Sequence, residues 1–417
     1  MNRTRNSASL KFTSVLAVSL LLGGCSWFSW LPWIGGGDDD KKADEPAELV
    51  KFDPEVELTR AWKGRIGEGL GKKYLRLIPG LVADRVLAVD GYGYIESRDR
   101  FSGKRAWGTQ VDEIKTGFFA RFNFVDRSDP SFIGGGVGTG EGLALLGTTE
   151  GEVVALDVAT GVERWRANLQ SEVLSTPTAD RGRVFAQTID GRIVAIDAQT
   201  GEAQWTYDNQ VPILTLRGTS SPIVVGDIVY AGFANGKIMA FRVETGEPIW
   251  EHRVILPEGR SELQRMVDVD SRPIVSGNQI FVAAYHGRVK SLSLRDGAPR
   301  WEQDISTYLD LARGYGQIYV IDEDDIISAI DENTGEVVWT QDAFRLRELG
   351  APIAYSNYLV VGDEAGYVHV IAQTDGRLLG RRKVDRKGVR SNMAVADARL
   401  FVLGNSGSLQ ALDIERL

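Results

Sequence analysis

Cys25 is the only cysteine in 417 residues, set in the stretch LLGGCSWFSW at positions 21–30. A thiol can act as a nucleophile, a metal ligand, half of a disulfide or an acyl acceptor, and all but the last need partners. A disulfide needs a second cysteine, and none exists. His252, His286 and His369 are spread through the chain without metal-ligand spacing. No glycine-rich phosphate loop or serine nucleophile elbow occurs. No catalytic constellation emerges, so neither an enzyme nor a cofactor is expected. The other chemically able residues suit recognition rather than reaction. Leu214, Leu216 and Arg217 lie in VPILTLRGTSSP (211–222), and Asp268 and Asp270 lie in SELQRMVDVDSRP (261–273). Apolar anchors beside a bidentate guanidinium and carboxylates fit an interface hot spot. The same residues also fit an internal rim salt bridge with the leucines turned inward.

The surroundings of Cys25 give it a use. Arg3, Arg5 and Lys11 precede a mostly apolar run from Phe12 to Leu22, and Gly23 and Gly24 follow. This is a secretory signal with small residues at the cut, too short for the roughly 20 residues of a membrane-spanning helix. Leu22-Gly23-Gly24-Cys25 resembles the lipobox of bacterial lipoproteins, in which the cysteine is lipidated and becomes the new N-terminus. That implies a signal peptide over 1–24 and anchoring through Cys25. Ser26, in place of the aspartate that retains lipoproteins in the inner membrane, implies the periplasmic face of the outer membrane. Loss of Arg3, Arg5 and Lys11 moves the formal charge from −9 to −12. An acidic chain of this kind is a poor partner for nucleic acid, whose binding feeds on phosphate neutralisation. Residues 25–50 read as a tether, with Trp27, Trp30 and Trp33 three apart ahead of GGGDDDKKADEPAE. Glycine and charge without apolar periodicity leave that segment nothing to bury.

The elements that must position the two loops come from an internal repeat. ALDVATGVERW (155–165), AIDAQTGEAQW (195–205), AFRVETGEPIW (240–250), SLSLRDGAPRW (291–301) and AIDENTGEVVW (329–339) follow an Ala-x-Asp-x-x-Thr-Gly-x-x-x-Trp unit that drifts in places. SRDRFSGKRAW (97–107) and VIAQTDGRLLG (370–380) are degenerate copies, the second with Gly380 for the tryptophan. Alternating apolar residues around Asp190-Gly191, Asn235-Gly236 and His286-Gly287 predict hairpins with type I′ turns, positive φ being expected at both central residues. Prolines 177, 222, 273 and 352 mark a further opening strand, giving four strands per unit. Eight turn dipeptides, from Tyr92-Gly93 to Ser406-Gly407, predict an all-β, eight-bladed β-propeller over 51–417. The last copy, ALDIERL, lacks an outer strand, and ELTRAWKGRI with Trp62 is left over at the front. The N-terminal strand should therefore complete the last blade and remove the open edge. The repeat tryptophans and glycines are assigned to architecture.

Function should lie where the repeat breaks. The insertion 108–141 carries Phe118, Phe119, Phe122 and Phe124; the last two also suit the opening strand of the second blade. The loops 211–222 and 261–273 enter neighbouring blades at equivalent places, so both should share one rim. The tryptophan motif resembles that of quinoprotein (PQQ-dependent) alcohol dehydrogenases, but their vicinal cysteine pair is absent here. Signal, lipobox, tether, eight blades, the LTLR and DVD loops and the VVGDEAGYVHVI segment together resemble the BamB family, lipoproteins of the outer-membrane β-barrel assembly (BAM) machinery. That resemblance implies a non-enzymatic scaffold docking on the POTRA domains of BamA through Leu214, Leu216, Arg217, Asp268 and Asp270. It also implies contact with unfolded outer-membrane proteins, for which pairing with an exposed outer strand is one physical route. The rival expectations are a quinoprotein-like enzyme and a periplasmic lipoprotein binding some other ligand, such as peptidoglycan or a sugar.

Overall fold

The computed structural model describes residues 45–71, 73–111, 133–212, 214–216, 218–257, 260–261 and 265–417. Cys25, Trp27, Trp30, Trp33, Phe118, Phe119, Phe122, Phe124 and Arg217 lie outside the described residues. Residues Pro46–Leu417 form one compact unit. It comprises eight four-stranded antiparallel sheets, each built from consecutive strands except at the closure, and the chain is an eight-bladed β-propeller. Blade 1 opens at Gly80–Val82 and ends at Arg105–Gln110; blade 2 spans Ile133–Gly140 to Glu163–Asn168. Blades 3, 4, 5 and 7 open at Thr178, Ile223, Ile274 and Ile353, one residue after the prolines that mark them.

The apolar core lies between the blades. Leu143, Leu145 and Val153 of blade 2 pack with Val184, Val194 and Ile196 of blade 3 in one fully buried layer. Both faces of each sheet are covered by neighbouring blades, which is why the middle strands read as near-continuous apolar runs. Each tryptophan among the described residues locks one blade to the next. The Trp165 indole donates to Ala198 O at 2.9 Å, and a Cβ added at Gly201 would stand 2.9 Å from the same ring. Trp205 repeats the contact one blade on, donating to Val243 O at 2.9 Å beneath Gly246. The motif aspartate shapes the turn that carries the glycine: Asp157 Oδ1 accepts the amides of Ala159 and Thr160. Gly161 sits at φ 74°, a conformation that costs glycine little.

The hairpin turns on the opposite face differ from expectation. Gly191 has φ 91°, whereas Asp190 has no positive φ. Gly191 N donates to Thr188 O at 3.0 Å, and Thr188 N to Arg192 O at 2.9 Å. This is a type I turn closed by a glycine bulge, the three-residue hairpin solution, and not the I′ turn. Asp190 favours it through its Oδ1 contact with the Thr188 hydroxyl and its ion pair with Arg192 at 2.8 Å.

Closure follows the expected route. Val56–Arg65 pairs antiparallel with Ser408–Arg416, from Val56↔Arg416 to Arg65↔Ser408, as the outer strand of blade 8. The preceding blade explains why its copy has lost the tryptophan. A side chain at Gly380 would strike Val56 Cγ2 and O at 2.7 Å, and Glu55 N donates to Leu379 O at 2.8 Å. Gly380 clears the path by which the N-terminal strand enters.

Candidate functional site

In each blade the loop from the outer strand to the next blade's inner strand lies on the same face as the hairpin between the second and third strands. Leu346 N donating to Asp324 O at 3.1 Å illustrates the pairing. The loops 211–222 and 261–273 both lie on this face and touch each other. The Asp268 carboxylate accepts the Leu216 amide, and Ser220 Oγ donates to Ser271 O at 3.1 Å. Gly218 packs against Asp270, since a Cβ there would stand 2.5 Å from Asp270 Oδ2. Leu214 is 40% exposed, and Leu216 is half-buried. Asp268 is 1% exposed, so it faces inward and acts as the pin between the loops. Arg265 is exposed.

Asp270 points elsewhere. It lines a cavity of about 560 Å³ with Arg76, Leu216, Tyr308, Asp310 and Asn392. These residues all sit in loops entering inner strands, around the mouth of the central channel. Asp310 ties three of those loops together, taking the Arg272 amide on Oδ1 and the Asn392 amide group on Oδ2, both at 2.7 Å. Arg76 lies 4.6 Å from the centre of the Tyr308 ring, and Arg390 lies 3.9 Å from that of Tyr74. Such cation–π stacking keeps the Arg76 guanidinium beside Tyr308 in the cavity lining.

Burial dominates the electrostatics of the aspartate pair. It pushes the Asp268 carboxyl up to about 6, against the opposing pull of the Leu216 amide and His286. It pushes Asp270 up to about 8, helped by the charges of Asp268 and Asp310 and opposed by Arg76. Although part of Asp270 is open to the cavity, most of its surroundings are protein atoms, and desolvation outweighs that opening.

The histidines occupy separate places. His369 is buried, with Nε2 3.0 Å from Asp363, which also pairs with Arg347 at 2.6 Å. His286 stacks on Tyr285 with ring centres 4.0 Å apart. Among the described residues no group of three or more His, Cys, Asp or Glu could hold a metal ion.

Sequence reasoning brought the two loops together but missed Arg76, Tyr308, Asp310 and Asn392. A signal for two of them was present. The residue one place before each opening proline, or its equivalent, runs Thr176, Ser221, Arg272, Asp310, Ala351 and Asn392. Aligned by blade, this ring places an acid and an amide on either side of a small alanine.

Comparison with known proteins converges on one family. The family described as Outer membrane protein assembly factor BamB matches residues 91–341 and 323–416. The protein of that name from Pseudomonas aeruginosa is 37% identical over 404 residues, covering 97% of this chain and 99% of its own. The crystal structure of BamB from Moraxella catarrhalis superposes with a TM-score of 0.75 at 25% identity, covering 86% of this chain and all of that one. Quinohemoprotein alcohol dehydrogenase from Comamonas testosteroni shares the fold alone, with a TM-score of 0.67 at 14% identity over 85% of this chain and 76% of its own.

Proposed function

The chain belongs to the BamB family of outer membrane protein assembly factors, and from that premise we propose how it works as a scaffold. As a family member it is a non-enzymatic component of the BAM complex, associated with the outer membrane. The proposal is that it docks on the POTRA domains of BamA through Leu214, Leu216, Arg217, Asp268 and Asp270, and so assists folding and insertion of outer-membrane proteins. The observation that carries it is the join between the two loops. Asp268 holds the amide of Leu216, so an exposed Leu214 and the Asp270 cavity are presented as one preorganised surface. Within it, Asp268 positions the leucine loop while Leu214 and Leu216 supply apolar contact.

Anchoring through a lipidated Cys25 on the periplasmic face is part of the same proposal. The folded body receives the chain on the docking face: Ala47 N donates to Arg345 O at 2.9 Å, and Arg347 donates to Ala47 O at 2.7 Å. The 22 residues from Cys25 to Ala47 reach at most about 75 Å when fully extended. That length lets a membrane-anchored chain present this face to a neighbour on the same membrane. Direct contact with unfolded outer-membrane proteins through exposed outer strands belongs to this proposal as well.

The test is a pull-down from detergent-solubilised envelopes. Wild type should capture BamA, whereas Leu214→Glu/Arg217→Glu and Asp270→Arg should not, with folding checked by circular dichroism. Undiminished capture by both folded variants would move the contact elsewhere, starting with the insertion 108–141. Mass spectrometry of the mature N-terminus should find Cys25 acylated, and an unmodified thiol would remove the anchor.

A further inference from the structure

Asp270 is the unusual member of the cavity. Among the described residues it accepts no hydrogen bond, and no cation stands within ion-pair distance of it. A half-buried carboxylate among so many protein atoms ordinarily finds such partners, because an unpaired one carries a desolvation cost. The neighbouring groups bond elsewhere. Asp310 accepts from Arg272 N and Asn392, and Arg76 lies over Tyr308. Asp268 uses one oxygen for Leu216, and its Oδ1 has no partner. The unsatisfied acidity therefore points into a space walled by Leu174, Leu216 and Leu309, with Tyr308 and Ser221 alongside. At about 560 Å³ the space falls within the usual range for a ligand pocket.

We infer that this cavity receives a guanidinium or ammonium group carried on an apolar stem, with Asp270 as its counter-ion. The leucines and Tyr308 would take the stem. The head would supply the donors that Asp270 lacks, and a guanidinium brings five of them. Two sources share this chemistry, an Arg or Lys side chain of a docked protein and a free small cation. The inference goes beyond the docking proposal and does not depend on it.

Proton release is the signature. Burial and the neighbouring Asp268 and Asp310 favour the neutral form of Asp270, Arg76 opposes them, and an arriving cation favours the charged form. Binding should thus expel protons wherever free Asp270 is neutral and bound Asp270 charged, and affinity should rise with pH across that window.

Agmatine is the probe, measured by calorimetry on the folded full chain in two buffers of different ionisation enthalpy. Saturable one-to-one binding with proton release, weakened at least about tenfold in Asp270→Asn, supports the inference. Carbon-13 NMR of the Asp270 carboxyl should show its titration moving down when agmatine is added. Equal or absent binding in wild type and the folded variant overturns it. Binding that emerges only in Arg217→Ala would assign the cation to the chain itself and also overturn it. Where wild type binds, competition with captured BamA identifies a partner side chain as the source, and simultaneous binding identifies a free cation. Failure of BamA capture with intact agmatine binding would sink the docking proposal alone.

Discussion

Asn392 and Asp310 lie 82 residues apart in sequence and meet side chain to side chain, Nδ2 to Oδ2 at 2.7 Å. They belong to the loops entering blades 8 and 6, and the loop into blade 7 presents only Ala351 between them. The second oxygen of Asp310 takes the amide of Arg272, at the entrance to blade 5. One carboxylate thereby sets the relative position of three loops at the channel mouth, including the loop that carries Asp268 and Asp270. The rigidity of the site comes from such bonds between loops, because the inner strands themselves are mostly three residues long.

Asp310→Ala should loosen these loops together. It leaves the Arg272 amide and the Asn392 side chain without acceptors, and orphaned groups of this kind cost about 1–3 kcal/mol. Urea unfolding should show a loss of that size. Amide exchange should speed up in residues 268–272 and 390–393 while the middle strands stay protected. Loss spread evenly over all blades would contradict the local role.

Trp165→Ala should destabilise the ring by about 3 kcal/mol, the usual cost of removing a large packed aromatic. It removes both the bond to Ala198 O and the surface that fills the space below Gly201. Gly201→Val attacks the same joint from the other side, combining a ring clash with a branched side chain at φ 76°. The two changes should be markedly non-additive in a double-mutant cycle. Simple additivity would mean that the tryptophan and glycine act on different joints.

The ring was legible because its units repeat, so that each Asp-x-x-Thr-Gly and tryptophan confirmed the others. Its closure was legible from a shortage, a final copy without an outer strand and a strand at the front without a blade. The turn at Asp190-Gly191 was misread because a dipeptide reports positive φ at the glycine but leaves the loop length open. Of the candidate site, the two loops stood out as departures from the repeat. The inward role of Asp268 did not, since a carboxylate two residues from another reads the same whether it faces a partner or the Leu216 amide. Asp310 and Asn392 emerge only when the blades are aligned on their opening strands, because their contact skips a blade and carries no short-range signal.

Asp270→Asn should change the pH dependence of stability. A carboxyl whose pKa is raised in the folded state binds more protons there than in the unfolded chain. Its contribution is fully present below the unfolded value of 3.8 and is lost as pH rises through about 8. The amide cannot ionise, so the variant should match wild type near pH 4 and gain on it toward pH 8. The gain should be on the order of 1 kcal/mol after allowing for water in the cavity. Parallel urea titrations at pH 4.5 and pH 8 measure it; a gap that stays constant with pH would mean that Asp270 is charged throughout.

A chain beginning at Gly67 should fail to fold cooperatively, although it keeps 31 of the 32 strands found among the described residues. Without Val56–Arg65, the strand Ser408–Arg416 becomes an edge and exposes the backbone groups that pair from Val56↔Arg416 to Arg65↔Ser408. The buried Leu58 and Trp62 disappear from the layers on either side of blade 8, and the Trp62 bond to Arg100 O that joins blade 8 to blade 1 is lost. An unpaired edge beside exposed apolar surface favours pairing between copies of the chain. Light scattering should therefore rise with concentration. A chain beginning at Pro46 keeps the strand, the Glu55 bond to Leu379 and the Ala47 contacts with Arg345 and Arg347, so it should unfold at the same urea concentration as one beginning at Cys25. Cooperative unfolding of the Gly67 chain near the wild-type midpoint would show that the six remaining tryptophan-linked joints suffice and that closure by the N-terminal strand is dispensable.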